Sequence, residues 1–153
     1  MADPIGYAYN SFTKRKDEGS IDWANLKLML LNNDATFDAT HTTLEGPAGT
    51  SNVNEAFGNG WTEGGEAVVV AFTTVDTNDS MGDTADIIVT ATAGPIPSAG
   101  AAYKAVLYDD THVSKAPLIF YDLGGAQTAN EGAVFRIIIN TLGLFRTLYT
   151  LPS

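Results

Sequence analysis

The stretch AAYKAVLYDDTHVSKAPLIFYDLGG, residues 101–125, contains two short apolar runs separated by a polar turn. Runs of this length, rich in Val, Ile, Tyr and Phe and bounded by Asp, Ser and Gly, are typical of paired β-strands. The same rhythm extends over residues 60–151 and repeats at intervals of about ten to twenty residues. The apolar runs are residues 66–72, 85–93, 101–108, 117–123, 133–140 and 144–151. This pattern predicts an all-β sandwich or barrel.

The N-terminal part contributes two further strand candidates. Residues 5–12 carry aromatic anchors, and residues 26–31 (LKLMLL) form a nearly continuous apolar run. Such a run suits a central strand covered on both faces or a short buried helix, and the flanking Asn and Asp residues favour the strand. The total is about eight strands. Long connections early in the chain and tight hairpins late favour a jelly-roll or Greek-key β-sandwich.

Two segments lack a strand pattern. Residues 14–20 are charged and polar and predict an exposed turn or a short helical turn, so residues 1–20 could form an extended N-terminal arm. Residues 32–57 form one long irregular loop, within which residues 36–44 could be a short helix or an edge strand. A loop of this length in a compact domain is usually functional. No shift in composition marks a second domain, so residues 1–153 are predicted to form one.

The composition limits the possible partners. The 153 residues include 18 acidic and 8 basic side chains, and the formal net charge is −10. An acidic surface repels phosphate, so we expect no nucleic-acid partner. The absence of cysteine removes thiolate catalysis and Cys-ligated zinc. No apolar stretch approaches the roughly 20 residues of a membrane span, and the start of the chain lacks a signal-peptide pattern. We therefore expect a protein made soluble in a cytoplasm, with no membrane partner.

The motifs that suggest a cofactor or a metal are weak. The glycine-rich residues 58–65 have the wrong spacing for a dinucleotide fingerprint and lead into a β-rich segment, where a helix would be needed. Residues 76–83 are predicted to form a turn at a solvated hairpin tip, and they alternate oxygen ligands as a calcium loop does. However, Met81 and Ile87 occupy the positions at which an EF-hand needs Gly and Glu. The sequence therefore predicts no cofactor and no metal site.

Catalytic arrangements are equally weak. His41 and His112 both fall in predicted loops, and Ser114 is only two residues from His112, whereas a catalytic triad draws its members from separate elements. Paired carboxylates could serve a small glycan hydrolase, but most acidic residues lie in predicted turns, where Asp is expected. Trp61 could support a carbohydrate-binding face and is equally explained as a core plug. The prediction is that the protein is not an enzyme.

Three segments are candidates for contact with other proteins. The one strongly basic spot, in residues 14–16, is either a solvated turn or a contact to an acidic neighbouring subunit. The last predicted strand, residues 144–151, has an apolar face that needs a cover from the core or from another subunit. The long loop is the third segment. The candidate capsid- or subunit-contact residues are Lys14, Arg15, Lys16, His41, Phe145 and Tyr149.

Several short motifs follow one another in an order that resembles a family of small virion proteins of tailed bacteriophages, the capsid decoration or cement proteins. The motifs are YNSF (9–12), GSIDW (19–23), LKLMLL (26–31), a loop with Asp38 and His41, GNGWTEGG (58–65), YKAVLYDD (103–110), PLIFYDLGG (117–125), GAVFRI (132–137) and NTLGLF (140–145). Each motif is loose. It is their order and spacing over most of the chain that carry the resemblance.

The resemblance implies a structural role on the outside of a virus shell. Proteins of this family are β-sandwiches that bridge capsid subunits as homodimers or homotrimers, and they have no catalytic residues to transfer. It implies that the partners are the major capsid protein and further copies of this chain, and that the protein is located on the capsid exterior. Members can also be tail or fibre components, so the alternative is a tail-associated protein that binds host-surface glycan.

Overall fold

The computed structural model describes residues 5–44, 54–76, 79–139 and 144–148. This part of the chain contains ten β-strands and one α-helix, which confirms the all-β class and exceeds the predicted eight strands. The elements in chain order are β1 (Ile5–Ala8), α1 (Asn10–Asp17), β2 (Leu26–Leu31), β3 (Glu66–Val68), β4 (Ala71–Asp76), β5 (Asp79–Asp83), β6 (Ile87–Thr90), β7 (Ala102–Asp109), β8 (Pro117–Gln127), β9 (Val134–Ile137) and β10 (Phe145–Leu148).

The strands form one large sheet and two small ones. The main sheet has five strands in the order β1-β8-β7-β2-β3, and every neighbouring pair in it is antiparallel. The small sheets have the orders β10-β5-β4 and β6-β9. Residues 101–125 supply most of β7 and β8, which pair as the predicted hairpin. No helix in the described part of the chain is long and apolar enough to cross a membrane.

Strand β2 lies inside the main sheet and is covered on both faces. Side chains alternate between the two faces of a strand, so neighbours in sequence enter different clusters. Leu28 and Leu30 belong to the large core cluster, which also takes in Ile87 and Phe135 from the β6-β9 sheet. Met29 and Leu31 belong to a second, smaller cluster on the opposite face. The prediction of a central strand buried on both faces is confirmed.

The long loop covers that second face. Phe37 packs against the smaller cluster, which includes Ala35 and Leu44 of the loop as well as side chains of β2, β7 and β8. The ammonium of Lys104 on β7 donates hydrogen bonds to two carbonyls of the loop, which pins its first residues to the sheet. The prediction that residues 36–44 form a helix or an edge strand is wrong. They are irregular because side-chain anchors and a local turn hold them.

The N-terminal region is packed against the body of the molecule. Strand β1 pairs with β8, and α1 follows at once, so residues 5–20 do not form an extended arm and the strand predicted over 5–12 is too long. The reason is that Phe12 and Arg15 are three residues apart, which places them on one face of a helix, and both are buried. Gly19, with φ of +65°, ends this segment in a conformation that favours glycine.

The strand predicted over residues 66–72 is divided between two sheets. Strand β3 pairs with β2 in the main sheet, and after two residues β4 pairs with β5 in a small sheet. Between them, the Val70 amide donates to the Trp23 carbonyl at 3.1 Å. The prediction of a turn over residues 76–83 is wrong for most of its length, because Asp79–Asp83 forms β5 and pairs with both β4 and β10.

Candidate interaction surface

Four aromatic side chains from distant parts of the chain meet beside the small β10-β5-β4 sheet. They are Phe12 of α1, Trp23, Phe72 of β4 and Phe145 of β10, and we call them the aromatic cluster. Ring centroids are 4.9 Å apart for Trp23 and Phe72, 5.1 Å for Phe12 and Phe145, and 5.5 Å for Trp23 and Phe145. These separations and the tilted or edge-on ring planes are the favourable arrangement for aromatic contacts. The cluster therefore ties the small sheet to α1.

The aromatic cluster is partly open to solvent. Phe12 is 7% exposed and belongs to the large core, whereas 51% of Phe72 is exposed. Phe145 lies directly over Gly82 of β5, where an added Cβ would overlap its ring. This close packing needs a residue without a side chain. The sequence singled out Phe145 through its apolar strand, but no sequence signal linked it to Trp23 and Phe72.

The predicted basic spot is not a uniform exposed patch. Arg15 is only 8% exposed, and its Nη2 donates to Asp109 Oδ2 and to the Ser20 carbonyl, both at 2.6 Å. The expectation that Arg15 contacts a partner is therefore wrong, because the helix turns this side chain toward the interior. Lys14 remains exposed, and the ammonium of Lys16 lies 3.1 Å from an adjacent aspartate.

Asp109 is the other half of the buried ion pair. Its Oδ2 also accepts a hydrogen bond from the Asp22 amide at 3.2 Å, and its Oδ1 accepts from the amide and hydroxyl of Thr111 at 3.1 and 2.7 Å. Burial opposes ionisation of Asp109, but the hydrogen bonds from Arg15, Thr111 and Asp22 outweigh it and lower the pKa of the carboxyl. This network joins α1 to β7 and has a structural role.

The remaining predicted contact residues lie in different places. His41 is half-buried, its ring centroid is 6.4 Å from that of Tyr9, and its Nδ1 has no hydrogen-bond partner among the described residues. It lies beside the smaller core cluster and far in sequence from Phe145, which belongs to the aromatic cluster. Tyr149 lies outside the described residues. Contact with a capsid or a neighbouring subunit stays a prediction for His41, Phe145 and Tyr149.

Ser114 and His112 make a local contact. Ser114 Oγ lies 2.8 Å from His112 Nδ1, and the same nitrogen accepts a hydrogen bond from the Ser114 amide at 3.3 Å. Both contacts lie within the turn that connects β7 to β8, whereas a triad brings its members together from separate elements. The pair therefore closes a turn. In the parts of the chain that the structure describes, no three His, Asp or Glu side chains form a possible metal site.

The glycine-rich motif is a tight turn around a buried tryptophan. Asn59 and Gly60 both have positive φ, and the amide of Gly58 donates to the Trp61 carbonyl at 2.9 Å. Trp61 is 2% exposed and packs at 5.6 Å against the ring of Phe135. The interpretation of Trp61 as a core plug is confirmed. It presents no open ring face on which a sugar could stack.

The outer face of the β6-β9 sheet is a second exposed apolar surface. Ile88, Val134 and Ile138 are exposed to 55%, 54% and 59%, while the inner residues Ile87 and Phe135 are buried in the large core cluster. One ion pair, between Arg136 and Asp86 at 3.4 Å, borders this face.

Comparison with protein-family models, with curated proteins and with solved structures finds no match for this chain.

Proposed function

We propose that the protein is a structural virion protein of a tailed bacteriophage, which binds the outside of the capsid as a homo-oligomeric decoration protein and stabilises the shell. In this proposal the protein is made in the host cytoplasm and located on the capsid exterior, and its partners are the major capsid protein and further copies of itself. It needs no cofactor, because the surface of the molecule does the binding.

The observation that carries this proposal is the amount of exposed apolar surface on the small sheets and on the two residues that lead into β4. Val69, Phe72, Ile88 and Val134 are each more than half exposed. Scattered single apolar residues need no explanation, but groups of them on adjacent strands mark interaction sites. Aromatic residues are enriched at the centres of protein interfaces. The aromatic cluster and the outer face of β6-β9 are therefore the surfaces that we assign to protein contacts.

Surfaces of this modest size are sufficient for binding to a virus shell. A shell presents many identical sites, so an oligomer that engages several at once gains affinity without any new type of contact. Lys14 is exposed on α1, the helix that contributes Phe12 to the aromatic cluster, and its Nζ lies 3.9 Å from Glu18 Oε1. It supplies an exposed positive charge on an otherwise acidic protein. We propose that Lys14 contacts an acidic group of the capsid protein.

We further propose that the strands have a jelly-roll or Greek-key topology. Support comes from the pairing of β1 with β8 and of β2 with β7, which joins the earliest strands to late ones. A strip of strands folded back on itself produces pairs of this kind. The two small sheets, β10-β5-β4 and β6-β9, would then correspond to the second layer of the sandwich.

The direct test is the copy number of the protein in purified virions, measured by quantitative mass spectrometry. A decoration protein is expected in hundreds of copies, whereas a tail or fibre protein is expected in a few dozen at most. The low copy number, together with binding of the isolated protein to a glycan array, would reject the decoration role in favour of the tail alternative.

A variant test locates the contact. We expect Phe72→Ser and Lys14→Ala each to lower binding to capsids that lack the protein, measured by co-sedimentation. Val113→Ser is the matched control, because Val113 is 96% exposed and lies in the turn between β7 and β8, outside both small sheets. Equal binding by Phe72→Ser, Lys14→Ala and Val113→Ser would refute the assigned surface.

A further inference from the structure

Strand β4 has an open edge. In the order β10-β5-β4 it pairs with β5 on one side only. Within the described residues, the backbone hydrogen bonds outside the regular strand pairs do not involve residues 71–76. Among the described residues, the N–H and C=O groups on the outer side of β4 therefore have no strand partner and can pair with another strand.

This edge lacks the protection that natural sheets usually have. Residues 67–75 read AVVVAFTTV, without a charge, a glycine or a proline, and residues 71–74 are all exposed. Native proteins protect open edges with Lys, Pro or very short strands. By contrast, β3 at the edge of the main sheet has only three residues, of which Glu66 is charged. An unprotected edge of high β-propensity is a template for strand addition.

We propose that β4 pairs, antiparallel and across a two-fold axis, with β4 of a second copy of this chain. The two β10-β5-β4 sheets then form one continuous sheet. This inference rests on the proposed function in one respect, since it names the interface of the proposed homo-oligomer. A second copy is the occupant because a two-fold pairing uses the same edge on both copies and leaves neither edge open.

Charge favours a second copy at this edge. Two chains of net charge −10 repel each other, so they approach best where neither carries an acidic side chain. Between Glu66 and Asp76 the sequence has no charged residue. The exposed Val69 and Phe72 lie on this uncharged segment, so a second copy that approaches the edge meets apolar side chains and no acidic ones.

Symmetry restricts the register. The pairing of β4 with β5 is irregular between Thr74 and Asp76, so the regular part of the edge is residues 71–74. A two-fold axis between antiparallel neighbours is perpendicular to the sheet and keeps each residue on the same face. Residues opposite each other across the axis must therefore point to the same face, so their numbers differ by zero, two or four. The residue midway between such a pair lies opposite the same residue of the second copy. Within 71–74 this central residue is Phe72 or Thr73.

The first test uses disulfide formation, for which the chain is well suited because it contains no cysteine. Four variants each carry one cysteine, at position 71, 72, 73 or 74, and Val113→Cys, at a position that is 96% exposed, serves as the control. Directly opposite residues have Cβ atoms about 4.5–5.5 Å apart, which a disulfide can bridge with a small adjustment. We expect Phe72→Cys or Thr73→Cys, but not both, to form covalent dimers fastest under mild oxidation. Rates equal to that of Val113→Cys at all four positions would overturn the proposal.

The second test measures association in solution by sedimentation equilibrium at concentrations on the order of 100 µM. We expect the wild type to dimerise and Thr73→Lys to raise the dimer dissociation constant at least about tenfold, because the two added charges then lie near the axis, directly opposite each other if Thr73 is central and diagonally opposite if Phe72 is central. Thr13→Lys, at an exposed position of α1, should leave it unchanged. A monomeric wild type, or equal dissociation constants for the two lysine variants, would overturn the proposal.

The two proposals fail in different ways. A monomer that still binds capsids would reject pairing through β4 and leave the decoration function standing. A dimer that is sensitive to Thr73→Lys but does not bind capsids would reject the decoration function and leave the β4 interface standing.

Discussion

Replacing Asp109 with Asn should destabilise the protein strongly, because it leaves the guanidinium of Arg15 buried without its counter-ion. Arg15 is 8% exposed and Asp109 is 1% exposed. Removing one partner of a buried ion pair typically costs about 3–5 kcal/mol. The asparagine side chain also cannot accept all the hydrogen bonds that the Asp109 carboxylate accepts. All the groups around the carboxylate are donors, and one of the two oxygens becomes an NH₂ group that faces either Thr111 or Arg15.

The expected loss is about 3 kcal/mol, at the lower end of that range because the remaining oxygen still accepts hydrogen bonds. For a domain of this size the loss corresponds to a fall in Tm of about 6–12 °C. Urea titration and thermal denaturation followed by circular dichroism measure both quantities. Asp34→Asn, at an exposed position, is the control and should change stability by less than about 0.5 kcal/mol.

The pH dependence provides an independent check. The folded state lowers the pKa of Asp109, so the stability that its ionised form contributes is present above the ordinary value of 3.8 and is lost as the pH falls through the lowered pKa. The Asn variant lacks this contribution. The difference in unfolding free energy between wild type and variant should therefore shrink below pH 3.8. A loss of less than about 1 kcal/mol at pH 7, or a difference independent of pH, would refute the assignment of a stabilising buried pair.

Three other predictions test local parts of the fold. Gly65→Ala should lower the stability of the protein more than Gly100→Ala, as measured by thermal denaturation. Both positions have positive φ, but only at Gly65 would the added Cβ overlap the backbone of β2. Burial raises the pKa of Glu55 despite a hydrogen bond from a backbone amide, so its contribution to stability falls as the pH rises above 4.5. Glu55→Gln should therefore be more stable than wild type at pH 7 and not at pH 4; a gain that is equal at both values would contradict this. On β6, Ile87→Ala should cost about 2–4 kcal/mol in urea titration and Ile88→Ala less than about 1, and equal losses would show that the two faces are wrongly assigned.

Much of the β-structure was predictable because its signals are local. The run 26–31 is apolar at almost every position, and the structure places it inside the main sheet with both faces covered. The stretch 101–125 has strand residues on both sides of a polar turn, and it forms β7 and β8. The interpretation of Trp61 as a core plug was one of two that the sequence left open. Its burial decides between them.

The errors arose where a distant contact outweighed the local signal. Residues 14–16 look like a solvated basic turn, yet Arg15 is buried because Asp109, 94 residues away, supplies a carboxylate beneath the helix. Residues 76–83 have turn composition, yet β5 forms there because it lies between β4 and β10. Residues 36–44 are irregular because they are held by side-chain contacts to the main sheet. The periodicity of apolar residues in the sequence gives no sign of such contacts.

The sequence by itself therefore determined the all-β class, the central strand and the acidic, cysteine-free character of the protein, because composition and short-range periodicity encode these properties. Only the tertiary structure decided which residues form a surface. It assembled Phe12, Trp23, Phe72 and Phe145 into one aromatic cluster, and among the strands that the structure describes it left one edge of β4 unpaired. The physical reason is that strand pairing and the packing of sheets join residues far apart in the chain, and such contacts leave no local pattern.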